Sequence, residues 1–102
     1  MPKGYWIAQV DVHDPEAYEA YRRANAAAFQ KYGARFLARG GKAEQVEGRG
    51  RSRVVIIEFA DQATALACHG SPEYAAALAL RLPHSTADVV IVEGYDGPQP
   101  TG

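Results

Sequence analysis

The chain has 102 residues, a formal net charge of −1 and one cysteine. This size fits a single domain, and one cysteine excludes an intrachain disulfide framework. The near-neutral charge gives no long-range field for capturing nucleic acid or an anionic membrane, and no apolar run is long enough to span a bilayer. The first residues show no secretory signal. We therefore expect a cytoplasmic protein with one domain over residues 1–95 and a flexible tail over 96–102.

The first strand and the first helix are both marked by local patterns. Residues 5–12 alternate in hydrophobicity, which predicts a strand with Trp6 on the side that faces the helices. Asp14, followed by a proline, is typical of a helix start, and Gly33 should end that helix.

The next segment predicts a strand and a return turn. Residues 34–38 form the second strand, and the glycine pair 40–41 in a strand context suggests a bulge. Residues 42–47 can extend the strand beyond that bulge. The glycine- and arginine-rich residues 48–52 then return the chain as a solvated hairpin tip, so the neighbouring strands should be antiparallel.

The second half repeats the order of strand, helix and strand. Residues 53–59 are the clearest strand, Asp61 caps a short helix over 62–69, and a second helical segment covers 72–82. Residues 88–93 form the last strand. The whole pattern predicts a ferredoxin-like βαββαβ fold of the α+β class, with a four-stranded antiparallel sheet and the helices on one face.

The last two strands are apolar on both faces. Val54 and Ile56 alternate with other large apolar residues, and Val90 and Val92 do the same in the last strand. A sheet with one face in water should alternate between apolar and polar residues instead. Nineteen alanines also limit the area that one copy buries. We therefore expect a homodimer in which two sheets pack face to face as a dimeric α/β barrel.

The segments of the chain, taken in order, resemble a family catalogued as a domain of unknown function, number 1330. The resemblance covers nearly the whole chain and is carried by residues 3–7, 14–18, 24–26, 31–37, 39–41, 55–59, 71–74 and 90–94. It implies membership of the dimeric α/β-barrel superfamily. That superfamily includes cofactor-independent monooxygenases, small-lactone isomerases, haem-handling enzymes and members with no assigned activity, so the fold alone does not give the reaction.

Polar residues on otherwise apolar surfaces are the candidates for function. Asn25 lies within a helical stripe of aromatic residues and, if buried, needs a partner, which is either structural or a ligand. Glu58 ends an apolar strand run, with Arg39 and Arg81 as candidate partners. Two interpretations are open. In the first, these charges form a structural ion pair or a dimer contact. In the second, Arg39 or Arg81 binds an anionic substrate, with Glu58 as orienter or base.

Metal and nucleophile chemistry have little support in the sequence. The three histidines are not spaced as metal ligands, and one cysteine makes a closed zinc site improbable. Cys68 and His69 are neighbours on a helix and point apart, so Cys68 is interpreted as a small buried residue. We expect no metal and no cofactor.

Two classes of function remain open. The first is a cofactor-independent enzyme of the isomerase or monooxygenase type, acting on a small aromatic or carboxylated metabolite. The second is a non-catalytic metabolite-binding or purely structural homodimer. Both use one candidate site, with Asn25, Glu58 and Arg81 as catalytic residues and Trp6, Tyr18, Tyr21, Arg39 and Tyr74 as substrate-binding residues.

Overall fold

The computed structural model describes residues 2–100. Over these residues the chain forms β1 (Gly4–Val12), α1 (Pro15–Lys31), β2 (Arg35–Arg39), β3 (Arg53–Phe59), α2 (Gln62–His69), α3 (Pro72–Arg81) and β4 (Ser85–Glu93). The strands make one antiparallel sheet in the order β2-β3-β1-β4. This is the predicted ferredoxin-like α+β fold.

The helices begin where their capping residues require. The Asp14 side chain accepts a hydrogen bond from the Ala17 amide at 3.2 Å, and the Asp61 side chain accepts one from the Thr64 amide at 2.7 Å. Each bond satisfies an amide that has no partner inside the helix. Gly33, just after α1, has a φ of +67°, a conformation that glycine adopts without strain.

One face of the sheet is covered by the helices. Trp6 on β1 and Ile57 on β3 are 2% and 1% exposed, and they pack against α1 and α3 through Phe29 and Tyr74. The other face carries the second apolar set predicted from the strands. On β4, Val90 and Val92 project from this second face, and both are exposed. One copy of the chain therefore leaves an apolar sheet face open.

Three sequence predictions are wrong in detail. The second strand does not resume at 42–47, because residues 41–52 form a largely exposed, irregular connection that is not part of the sheet. Arg51 in this connection is not a solvated tip, since it pairs with Asp11 and Asp88 at 2.9 Å each. The last strand begins at Ser85, three residues before its predicted start.

The bulge in β2 comes earlier than the glycine pair. The register with β3 shifts between Phe36 and Ala38, so the bulged residue is Leu37. Gly40 instead adopts a φ of +73° and donates its amide to the Val54 carbonyl, where the strand ends. The bulge reverses the face of the sheet from which the side chain of Arg39, the last residue of β2, projects.

No helix between residues 2 and 100 combines the length and the apolar character needed to cross a membrane.

The tail begins with a local contact, because the Tyr95 hydroxyl donates a hydrogen bond to the Pro98 carbonyl at 2.7 Å. The flexibility expected for 96–102 remains a prediction, and residues 101–102 lie outside the described part of the chain.

Candidate ligand-binding site

A pocket lies between the covered sheet face and helices α1 and α3. Its cavity measures about 30 Å³, counted as the space open to the centre of a water molecule, which is room for about two waters. The residues that line it are mostly aromatic, aliphatic or arginine. They are Trp6, Ala8, Val10, Tyr18, Tyr21, Arg22, Asn25, Phe29, Phe36, Arg39, Arg53, Val55, Ile57, Tyr74, Arg81 and Val89.

Aromatic rings form the deep end of the pocket. The Trp6 ring meets Phe29 edge to face at 5.4 Å and Tyr74 at 4.8 Å between ring centroids. Tyr74 is fully buried. Edge-to-face pairs at these distances are favourable beyond the area they bury, so this end of the pocket is rigid and apolar.

Two tyrosine hydroxyls meet on the wall of the pocket. The Tyr21 and Tyr74 oxygens lie 2.9 Å apart and share a buried hydrogen bond. Burial raises the pKa of Tyr21, as does the neighbouring Tyr74, while the Arg81 charge and the Asn25 amide act in the opposite direction. Tyr21 therefore stays protonated at neutral pH.

Asn25 is placed on α1 one turn after Tyr21, and its side chain faces into the pocket. The residue is 5% exposed, and its Oδ1 atom is buried with no hydrogen-bond partner among the described residues. A buried acceptor left without a donor costs about 1–3 kcal/mol. This arrangement does not fit a structural hydrogen bond through Oδ1, which was one of the two interpretations of the sequence.

Arg81 supplies a buried positive charge. It is 7% exposed, and its guanidinium lies 5.6 Å from the centroid of the Tyr21 ring. No carboxylate oxygen lies within 4.0 Å of it in residues 2–100. A cation over an aromatic face is stabilised, but the charge itself remains without an anionic partner.

Three further arginines stand nearer the mouth. Arg39 stacks over the Phe36 ring at 4.1 Å, and Arg53 lies 5.6 Å from the Tyr18 ring centroid. Over residues 2–100 neither has a carboxylate within ion-pair distance, whereas Arg22 pairs with Glu19 at 3.0 Å. The Nε atoms of Arg22 and Arg53 are also buried without a partner.

The charge of the pocket contrasts with that of the chain. The chain as a whole carries a formal charge of −1, but the pocket lining contains four arginines and no Asp or Glu. Like charges in a partly dry site repel one another unless an anion joins them. The geometry therefore favours binding of an anion.

The structure brings together seven of the eight site residues predicted from the sequence. Glu58 is the exception, because it lies on the open face of the sheet, where its carboxylate accepts a long 3.4 Å bond from the Tyr5 hydroxyl. It therefore pairs with neither Arg39 nor Arg81, which line the pocket on the other face. The predicted pairing is wrong for two reasons. The bulge at Leu37 moves Arg39 to the helix side, and Arg81 belongs to α3, which packs on that same side.

Two pocket arginines were missed. Arg22 follows Tyr18 by four residues and so lies on the same side of α1. Arg53 shares its strand face with Val55 and Ile57, as alternation along β3 requires. Both signals were present in the sequence, but the arginine-rich turn before β3 was interpreted as solvated.

Thiol and imidazole groups lie outside the pocket lining. Burial raises the pKa of the Cys68 thiol to about 11, which fits the interpretation of Cys68 as a small buried residue. The His69 ring packs 5.2 Å from Trp6 and 5.3 Å from Tyr74, behind the aromatic floor. Between residues 2 and 100, no three His, Cys, Asp or Glu side chains are grouped as metal ligands.

Comparison with solved structures supports the fold. A protein of unknown function from Rhodopseudomonas palustris has 17% identity and a TM-score of 0.73, covering 94% of this chain and 85% of that one. SnoaB, a cofactor-independent oxygenase from Streptomyces nogalater, has 16% identity and a TM-score of 0.67, covering 98% and 97%. A dimeric protein of unknown function with a ferredoxin-like fold, from Bacteroides fragilis, has 14% identity and a TM-score of 0.59, covering 89% and 95%.

At these identities the likeness shows a shared fold and nothing about the reaction. No curated protein is a significant match to this chain. A family model described as "Domain of unknown function (DUF1330)" matches residues 3–95, which is nearly the whole chain. The resemblance seen in the sequence is therefore confirmed, and the chain belongs to the DUF1330 family.

Proposed function

We propose that this protein binds a small carboxylated molecule with a planar, apolar body in the pocket between its sheet and its helices. The observation that carries the proposal is that the lining holds four arginines and no carboxylate, and that among residues 2–100 only one of the four, Arg22, has an ion-pair partner. Guanidinium groups bind carboxylates through paired, charge-assisted hydrogen bonds. The aromatic floor supplies the surface for the planar body.

The distribution of polar groups gives the ligand an orientation. The floor around Trp6 and Tyr74 is almost fully buried, whereas Arg39 is exposed and Arg53 is half-buried. The apolar end of a ligand therefore enters first, and its carboxylate stays near the mouth. Arg81 lies deeper and compensates negative charge on the body of the ligand.

Binding requires the pocket to widen. A cavity for about two waters cannot hold an aromatic acid. Arg39 and Arg53 now rest on the Phe36 and Tyr18 rings, so widening requires both long side chains to move outward and give up these ring contacts. A ligand ring would then replace the guanidinium groups against these aromatic faces, while its carboxylate keeps the arginines at the mouth.

The lining restricts which chemistry this site can perform. Proton abstraction needs a base with a pKa near the working pH. The polar groups of the lining belong to tyrosine, asparagine, arginine and tryptophan, and the lining contains no carboxylate or imidazole. With Glu58 on the other face, an isomerase that moves a proton is disfavoured. We propose binding as the primary function.

A cofactor-independent oxygenase is the second candidate. It is favoured by the fold shared with SnoaB, whose described activity is of that type. Such a reaction takes its electrons from the substrate rather than from a cofactor. It needs no base from the protein when the substrate enters already ionised, and the lining arginines would then stabilise the anion. Consumption of oxygen with a bound ligand, measured with an oxygen electrode, distinguishes this candidate from binding alone.

The functional unit that we propose is a homodimer joined through the open sheet faces. Val90 is 57% exposed and Val92 is 43% exposed on a strand whose other side is already packed. A second copy presents the same apolar face, and twofold packing matches it to itself. The ferredoxin-like neighbour from Bacteroides fragilis is itself described as dimeric.

The single tryptophan makes binding measurable without a label. Trp6 lies on the pocket floor, so its fluorescence should change when an aromatic acid enters. We expect a saturable change with benzoate and no saturation with toluene at the same concentrations. Raising the salt concentration should weaken benzoate binding, because salt screens the arginines at the mouth.

A matched pair of arginine variants tests the assignment. Arg53→Gln removes a charge from the pocket and should weaken benzoate binding about tenfold or more. Arg49→Gln removes a charge four residues earlier, outside this pocket, and should leave binding unchanged. Equal loss in both variants, or no saturable change with any aromatic acid, would show that the pocket is not the anion site.

A further inference from the structure

We infer that the ligand of this pocket carries, besides its carboxylate, a hydroxyl or other hydrogen-bond donor that meets the Oδ1 atom of Asn25. The inference rests on the proposed function, since it describes the same pocket, and it narrows the ligand from carboxylated planar molecules to hydroxylated ones. It depends on an acceptor that the fold buries and leaves unpaired.

The state of Asn25 is unusual for a folded protein. Most buried polar side-chain atoms have at least one partner. Asn25 is 5% exposed and faces the cavity, yet its Oδ1 atom has none among residues 2–100. The neighbouring hydroxyls of Tyr21 and Tyr74 are already engaged with each other at 2.9 Å. The fold thus preserves a free acceptor inside the pocket.

The Asn25 atom that lacks a partner decides the kind of group it would meet. Among residues 2–100 this buried, unpaired atom is the amide oxygen Oδ1. An amide oxygen only accepts hydrogen bonds. A ligand group that satisfies it must therefore be a donor.

The two polar requirements are separated in space. Arg39 is exposed at the mouth, whereas Asn25 lies among the buried residues of α1. A ligand that satisfies both has an anionic group at one end and a donor at some distance along its body. An aromatic acid with a ring hydroxyl is the simplest molecule of this form.

A set of small probes tests the donor requirement directly. We would titrate benzoate and the 2-, 3- and 4-hydroxybenzoates into the purified protein and follow heat or Trp6 fluorescence. The matched methyl and methoxy benzoates control for size and for acceptor groups. At least one hydroxyl isomer should bind about tenfold more tightly than both of its matched controls, because only the hydroxyl donates to Asn25.

Two variants separate the two halves of the ligand. Asn25→Leu keeps the side-chain shape and removes the acceptor, so within this variant the hydroxyl isomers should bind no more tightly than their matched methyl and methoxy controls. Arg53→Gln should weaken all the acids by a similar factor and leave the preference for the hydroxyl intact. A structural role for Asn25 would instead change the affinity for every probe alike.

The outcomes distinguish this inference from the function on which it rests. Failure of every acid to bind would overturn the proposed function. Binding of benzoate with no gain from any ring hydroxyl, or a preference for methoxy over hydroxyl, would overturn the donor requirement alone. A hydroxyl preference that persists in Asn25→Leu would also overturn it, because the donor would then meet another group.

Discussion

Replacing Asn25 by leucine should make the ligand-free protein more stable. Most substitutions of buried residues destabilise a protein, so an increase would be diagnostic. Leucine has the same number of side-chain heavy atoms as asparagine and the same branching. The change therefore removes the unpaired Oδ1 acceptor without opening a cavity.

The expected gain is a balance of two terms. Relief of a buried, unsatisfied acceptor contributes about 1–3 kcal/mol. Leucine also removes the polar influence of the Asn25 side chain on Tyr21, at a cost of about 0.5–1.5 kcal/mol. The net is about 1 kcal/mol in favour of Asn25→Leu, which raises the melting temperature by about 4–8 °C for a domain of this size.

Thermal unfolding at a fixed protein concentration measures this difference, since the stability of the proposed dimer would depend on concentration. Tyr21→Phe is the matched control on the same helix. It removes a hydroxyl that does have a partner, at 2.9 Å from Tyr74, and should lower the melting temperature. A decrease in Asn25→Leu as large as in this control would refute the reasoning and assign Asn25 a structural role.

Three further outcomes follow from the fold. Val90→Lys should convert the proposed dimer to a monomer in analytical ultracentrifugation, whereas Leu66→Lys, on a helix and with similar exposure (53% against 57%), should leave the proposed dimer intact. Cys68, whose pKa burial raises to about 11, should react with a thiol reagent at about pH 8 only after unfolding, so fast labelling of the folded protein would contradict its burial. Gly4→Ala should lose about 1–3 kcal/mol in denaturant unfolding, because its Cβ would overlap the backbone of the chain after β3. Gly41→Ala has open space and should be neutral, and equal losses in both would remove the steric explanation.

The parts of the site that lie on α1 could be predicted because helical periodicity is local. Tyr18, Tyr21 and Asn25 recur at intervals of three and four residues and so must share one face. The structure buries all three on the side facing the sheet. The sequence could not show that Oδ1 of Asn25 lacks a partner, since this depends on residues brought from α3.

The role of Arg39 was not predictable from strand alternation. Without the bulge, Arg39 would share the open face with Glu58, as the sequence suggested. The extra residue at Leu37 reverses the alternation and directs Arg39 into the pocket. Bulges depend on pairing with a neighbouring strand, so a single strand pattern does not reveal them.

The pocket combines features that each reduce the stability of the ligand-free fold. It holds an unpaired buried acceptor at Asn25, and three of its arginines, Arg39, Arg53 and Arg81, have no ion-pair partner among residues 2–100. A purely structural interior would gain stability by losing these groups. Their joint presence is explained if a single ligand supplies both the missing anion and the missing donor. Substitutions that stabilise the free protein at Asn25 or Arg81 should then be the ones that weaken binding, which is the expected trade-off between stability and function.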